Sequence, residues 1–250
     1  MSFSTLMYHE IREGGSFNPE HPFRIDVKQD YEDILPSFLF VTRENFLGQM
    51  TYLHENNYHT LTLEEVKDYY YKGLNIPEKS VLLTFDDCYQ SIKKYAYPIL
   101  KKYQFHAVAF VVTGWLHDAP KVFNPDRSVC MSKHDLNEMA DVFEFANHTD
   151  LFHTRVSDTA SIMMTAKESA FADDLNKCNS NEIVRAKDVF AYPFGLFTDR
   201  NVEFLREKGF KLAFTSDDGL NEKGTDPLLL KRNAIPYFID LDSFKKILGV

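Results

Sequence analysis

Short apolar runs alternate with amphipathic segments along almost the whole chain, and this alternation limits the fold more than any other feature. The runs Ser4–Tyr8, Ser80–Phe85, Ala107–Val112, Phe143–Ala146, Val189–Ala191 and Leu212–Thr215, with another near Asn233–Ile235, have the length and composition of buried strands. Between them lie helix patterns with start and stop signals. Phe46, Met50 and Leu53 recur at i, i+4 and i+7 behind Thr42 as N-cap. Thr62-Leu63-Glu64-Glu65 reads as a capping box opening a second helix, which Gly73 could end. Ile92, Ala96, Ile99, Leu100 and Tyr103 mark a third helix, and Ser132 caps a fourth. A long helical region is expected over Ser161–Lys177, another helix over Asp199–Lys208 with Gly209 as its C′ residue, and a last one from Asp242. Strand–helix alternation of this length predicts a parallel sheet, open or closed into a barrel. No internal repeat or Pro/Gly/Ser-rich linker interrupts it, so one domain is expected over residues 1–250.

Composition removes several function classes. With 44% hydrophobic and 26% charged residues the chain is neither disordered nor of low complexity, and size scaling predicts roughly 11,000 Å² of accessible surface once folded. A net charge of −9 without a basic tract excludes a nucleic-acid groove as the main surface. The longest fully apolar run, Ala107–Val112, is far short of a membrane span. Cys88, Cys130 and Cys178 form no CxxC pair and read as reduced thiols. The opening MSFSTLMYHEI lacks a basic segment followed by an apolar one, so a cytoplasmic address is expected; a trimmed, extracytoplasmic chain would look the same.

In parallel α/β folds chemistry sits on the loops that follow strand C-terminal ends. Three such loops carry it here: Asp86-Asp87 after Ser80–Phe85, His148-Thr149-Asp150-Leu151-Phe152-His153 after Phe143–Ala146, and Tyr192-Pro193-Phe194-Gly195 after Val189–Ala191. Singly, each has an ordinary explanation: a helix cap, an incidental histidine spacing, a turn. Jointly, one carboxylate and two imidazoles make a three-ligand set for a catalytic metal with an open position, and the second carboxylate is placed to act as a base.

These motifs, Thr84-Phe85-Asp86-Asp87, His148-Thr149-x-x-x-His153 and Tyr192-Pro193-Phe194-Gly195, resemble the first three motifs of polysaccharide deacetylases, carbohydrate esterase family 4 with the NodB homology fold. The His-x4-His spacing and the opening Leu6-Met7-Tyr8-His9 are similar to the poly-N-acetylglucosamine deacetylase branch. The resemblance runs from about Leu6 to Ile235. It implies a distorted (β/α) barrel of about seven strands, and a metal-dependent hydrolase that removes N-acetyl groups from an N-acetylhexosamine-containing carbohydrate. It also implies one divalent ion, Zn²⁺ first, with Co²⁺, Ni²⁺ or Fe²⁺ as alternatives. By the same resemblance Asp86 matches the base, Asp87, His148 and His153 the metal ligands, and the Phe194 N–H the oxyanion donor. Tyr192 and Pro193 would lie against the sugar.

The chain also departs from the family pattern. Cys88 stands where the family has glycine, and Ala191 where many members carry an arginine that braces the base. No histidine follows His153; the late motif offers Lys231 and Arg232 instead. His9 is therefore expected to protonate the leaving amine. Asp217 or Asp218 resembles the aspartate of the fourth motif, and with Arg232 is expected to support the site from behind. His21, His54, His59, His106, His117 and His134 read as solvated. Two other functions fit these departures: a carbohydrate-binding module of the same fold with impaired turnover, or an amidase or esterase for a small metabolite.

Overall fold

The computed structural model describes residues 1–249; Val250, the last residue of the expected domain, lies outside the described residues. Nine strands form the main sheet: β1 Ser2–Tyr8, β2 His59–Thr60, β3 Ser80–Asp86, β4 Ala107–Val111, β5 Phe143–Asn147, β6 Ala186–Ala191, β7 Leu212–Phe214, β8 Leu220–Glu222 and β9 Asn233–Ala234. The path β7-β6-β5-β4-β3-β1-β8 contains seven of them, as the expected barrel requires. Only β8 runs antiparallel to its neighbour, β1. β9 shares that edge and pairs β1 in parallel, while β2 pairs the start of β3. The sheet curls. Leu230 bridges β7 through Leu230 N–H to Ala213 and Thr215 N–H to Leu230, and the chain then passes through Arg232 into β9 beside β1. The two ends of the sheet are thereby joined.

Register aligns the C-terminal strand ends. Tyr8 pairs Phe85, Asp86 pairs Phe110, Val111 pairs Asn147, and Ala191 pairs Phe214. His9, Asp87, His148 and Tyr192 therefore leave the sheet at one edge.

Alternation along β3 separates its two faces. Val81, Leu83 and Phe85 pack outward with Phe46, Met50 and Leu53 of helix α1 (Arg43–Glu55). Leu82 points inward to meet Phe3, Val108, Phe110, Ala146, Leu212, Phe214 and Leu230. Asp86 shares the parity of Leu82 and so lies above this inner layer. The accessible surface, 11106 Å², matches the value expected from chain length.

The remaining helices are α2 Leu63–Tyr71, α3 Tyr97–Tyr103, α4 Lys133–Asn137, α5 Ile162–Thr165, α6 Glu168–Ser180, α7 Asp199–Glu207 and α8 Leu241–Ile247. The caps expected at Thr42, Thr62 and Ser132 all form. The single helix expected over Ser161–Lys177 does not. It divides into α5 and α6, with Ala166 and Lys167 in extended conformation. The Met163 carbonyl, which a continuous helix would bond to the Lys167 N–H, accepts from the Asn201 side chain of α7 instead.

Gly209 ends α7 as expected, with φ +82° and the Phe210 N–H donating to Leu205. A Cβ there meets no atom within 4 Å, so only backbone strain opposes a larger residue. Gly209→Ala is expected to cost about 1–2 kcal/mol in urea unfolding and Gly209→Asn less, since asparagine tolerates this region better. Equal costs would point to contacts rather than conformation.

Candidate functional site

Asp86 closes β3 and Asp87 is the first residue beyond it. Asp87 and Cys88 both adopt left-handed backbone, at φ +66° and +57°, and the Cys88 N–H donates to the Asp86 carbonyl at 2.8 Å. Successive residues of a continuing strand would point to opposite faces. The reversal lets both carboxylates enter one cleft. Asp87, Cys88, Thr149 and Phe194 make four of the seven non-glycine residues with positive φ among those described, so backbone strain gathers on the cleft loops. The Cys88 thiol is fully buried and donates to the Phe110 carbonyl at 3.6 Å. It fills the glycine position as packing.

One carboxylate converges with the two imidazoles. Asp87 Oδ1 lies 3.3 Å from His153 Nε2 and 3.7 Å from His148 Nε2, and the ligand atoms of the three residues all fall within 4.8 Å of one another. His148 Nδ1 donates to the Ala191 carbonyl at 2.8 Å, which fixes the tautomer and leaves Nε2 free to ligate. Asp87 Oδ1 and His153 Nδ1 are buried with no hydrogen-bond partner among the described residues. Burial lowers the pKa of both histidines, keeping them in the neutral form that binds metals. Burial, followed by the charge of Asp86, pushes the Asp87 carboxyl well above its usual range. A divalent cation would supply the charge this donor set lacks, so these residues fit a metal.

The other carboxylate has different company. Asp86 Oδ1 accepts from Arg232 Nη1 at 2.7 Å, and Oδ2 lies 3.8 Å from His9 Nε2 and 3.9 Å from His148 Nε2. Arg232 is 1% exposed; its Nε donates to the Thr215 carbonyl and its guanidinium lies over the Phe110 ring. Burial alone would raise the Asp86 pKa, but the charge and hydrogen bond of Arg232, with His148 and His9 ready to share a proton at lower pH, hold it well below the carboxylate range. Burial also drives the His9 pKa down to about 4. Arg232 is thus the standing positive charge beside Asp86 near neutrality. It braces Asp86, which Ala191 in the third motif cannot do.

These groups line a cleft of about 610 Å³, within the usual range for small-molecule sites. Trp115 and Phe194 flank His153, with ring centroids 4.5 and 4.2 Å away, and the Arg155 guanidinium lies 4.1 Å above Phe194. Ile34 and Phe38, both exposed, form part of the rim. Trp115 is a site residue the sequence reading does not name, although its place after β4 at the active edge marks it; the rim residues carry no such signal.

Several expectations are corrected. Tyr192 does not offer its ring to a sugar. It shares the outward parity of Phe190, stacks on Phe197, and donates its hydroxyl to Leu228 from a fully buried position. Pro193 is likewise buried. Asp217 and Asp218 are exposed and lie outside the cleft lining, because the turn after β7 carries them past the rim; Asp217 meets Arg232 only through backbone. Among the histidines read as solvated, His117 is nearly buried against Asp26, and His59 and His106 bond Glu65 and Glu144.

A curled α/β sheet with a buried Asp-His-His group at its strand ends has the site of a candidate metal-binding hydrolase. Residues 73–213 match the sequence pattern described as polysaccharide deacetylase. Over 241 residues the chain is 31% identical to the poly-beta-1,6-N-acetyl-D-glucosamine N-deacetylase of Staphylococcus aureus, covering 94% of this chain and 76% of that protein. Two solved structures share the fold. Streptococcus pyogenes deacetylase PplD, in complex with acetate, superposes with a TM-score of 0.75 at 23% identity, covering 99% of this chain and 98% of that one. IcaB from Ammonifex degensii gives 0.73 at 24% identity, covering 99% and 96%. The chain belongs to the polysaccharide deacetylase family.

Arg232→Met strips a buried carboxylate of its partner and is expected to cost about 3–5 kcal/mol in urea unfolding at pH 7. Because the folded pKa of Asp86 is depressed, the stability it contributes is present above its unfolded value near 3.8 and fades as pH falls below it. The gap between wild type and variant should therefore narrow below about pH 4. A gap independent of pH would mean that Arg232 acts through packing alone.

Proposed function

We propose that this protein hydrolyses N-acetyl groups on an N-acetylhexosamine-containing glycan, using one divalent metal ion and releasing acetate. The division of labour between adjacent carboxylates carries this reading: Asp87 converges with His148 and His153, while Asp86 stays paired to Arg232 beside His9. The named activity of the S. aureus relative makes a β-1,6-linked N-acetylglucosamine polymer the first substrate to test.

Asp87, His148 and His153 would hold the ion, with Zn²⁺ favoured by the mixed N/O donors, and Co²⁺, Ni²⁺ or Fe²⁺ as alternatives. When bound it would bring the pKa of water from 15.7 to about 7 and polarise the acetyl carbonyl. Asp86 takes the proton of the attacking water. Arg232 holds the receiving carboxylate in place by binding one of its two oxygens and leaving Oδ2 toward the cleft. The Phe194 N–H, set by a left-handed turn at φ +60°, donates to the oxyanion, an interaction worth about 3 kcal/mol in comparable sites. His9 then protonates the departing nitrogen. It is neutral at rest; the negative charge of the tetrahedral adduct raises its proton affinity, so it takes the water proton from Asp86, whose Oδ2 lies 3.8 Å from its Nε2, and passes that proton to the nitrogen.

Acetate release from a panel of N-acetylated sugars and oligomers, with and without chelator, tests the reading. Activity should vanish with chelation and return with Zn²⁺; turnover unaffected by full metal removal would refute it. Asp86→Asn should keep its metal and lose about 10²–10⁴ in kcat. A variant with most of its activity would require another base. His9→Ala should lose a similar factor on the amide but far less on an activated acetate ester, whose phenolate leaves without a proton. Equal losses on both substrates would assign His9 to binding instead.

A further inference from the structure

The two histidines are joined by a four-residue loop that cannot lie on one helix face, so something must fix it. Thr149 within it adopts φ +79°. Its backbone donors at Asp150 and Leu151 both end on one side chain: the Asp150 N–H donates to Asp174 Oδ1 at 2.9 Å and the Leu151 N–H to Asp174 Oδ2 at 2.7 Å. On the opposite side the Thr113 and Gly114 N–H groups donate to the Thr149 and Asp150 carbonyls. The Asp150 carboxylate accepts from the Thr113 hydroxyl and pairs with Lys177, three residues beyond Asp174 on α6.

Asp174 is 7% exposed and belongs to the buried stripe Phe171, Asp174, Leu175, Cys178, spaced i, i+3, i+4, i+7, where a helix ordinarily carries only apolar residues. Burial raises its carboxyl to about 6, so the ionised form is held against a desolvation cost. An apolar side chain would avoid that cost but leave two loop donors without acceptors. A carboxylate accepts both at once; a carboxamide offers one oxygen and turns its NH₂ toward the second donor.

We propose that Asp174 is a positioning residue for the metal site, fixing the loop between His148 and His153 so that both imidazoles reach one ion. The inference rests on the metal-dependent reading above. Zn²⁺ affinity, measured by competition with a chromophoric chelator, tests it in wild type, Asp174→Asn and Asp174→Glu, with thermal unfolding of each metal-free protein alongside. Groups that orient metal ligands typically change affinity 10–100-fold when replaced, and Asp174→Asn should weaken zinc binding by that factor. Asp174→Glu, which retains both acceptor oxygens, should recover part of the loss. Zinc affinity within about threefold of wild type in a folded Asp174→Asn protein would overturn the proposal, whatever the unfolding temperature. If Asp174→Asn does not fold, Asp174→Glu decides: its longer arm should still weaken zinc binding measurably, and undiminished affinity would overturn the proposal. Failure of the wild type itself to bind zinc would count against the metal reading, a distinguishable result.

Discussion

Two carboxylates on consecutive residues, 2% and 3% exposed, are the constraint from which the rest of the site follows. Like charges this close cannot both persist in a buried setting unless positive charge is supplied to each. Arg232 supplies it to Asp86 and depresses that pKa. Nothing equivalent reaches Asp87, whose pKa is pushed up and whose Oδ1 lacks a hydrogen-bond partner among the described residues. The imidazoles facing Asp87 are held neutral by burial and give it no standing charge. A divalent cation held by Asp87, His148 and His153 would resolve the imbalance. The same asymmetry keeps Asp86 ionised, paired to Arg232 and apart from the Asp87-His148-His153 group.

The curl of the sheet makes this pairing possible. Asp86 and Arg232 are 146 positions apart and meet because the segment through Leu230 joins β7 to the β1 edge. Parallel register then brings His9, Asp87 and His148 to one rim from three strands. Local strain at Asp87, Cys88, Thr149 and Phe194 interrupts the regular continuation of the strand ends, and Asp87 and Phe194 thereby line the cleft. Each such residue costs of order 1–3 kcal/mol, held in place by the buried layers beneath.

Much of this was legible in the sequence because strand ends announce themselves: a buried run stops, and polar residues begin. That rule found Asp86, Asp87, His148, His153 and His9, and it would have found Trp115. It misjudged Tyr192, where strand parity, not the turn motif, decides which way the ring points. Arg232 is expected behind the site from the late motif, but its pairing with Asp86 is not legible, since that depends on ring closure. Asp174 carries a signal in the sequence, an acid inside an apolar i, i+3, i+4, i+7 stripe, but its partners lie on a loop that the sequence does not place against α6. The split of Ser161–Lys177 into α5 and α6 was invisible locally, because the competing hydrogen bond comes from Asn201 on another helix.

The division of roles between Asp86 and Asp87 is tested most directly by zinc-edge anomalous diffraction from crystals of the Zn²⁺-loaded protein. One anomalous peak is predicted, about 2.0–2.2 Å from an Asp87 oxygen and from Nε2 of both His148 and His153, with Asp86 outside bonding distance and still paired to Arg232. A peak ligated by Asp86, with Arg232 displaced from it, would contradict that division.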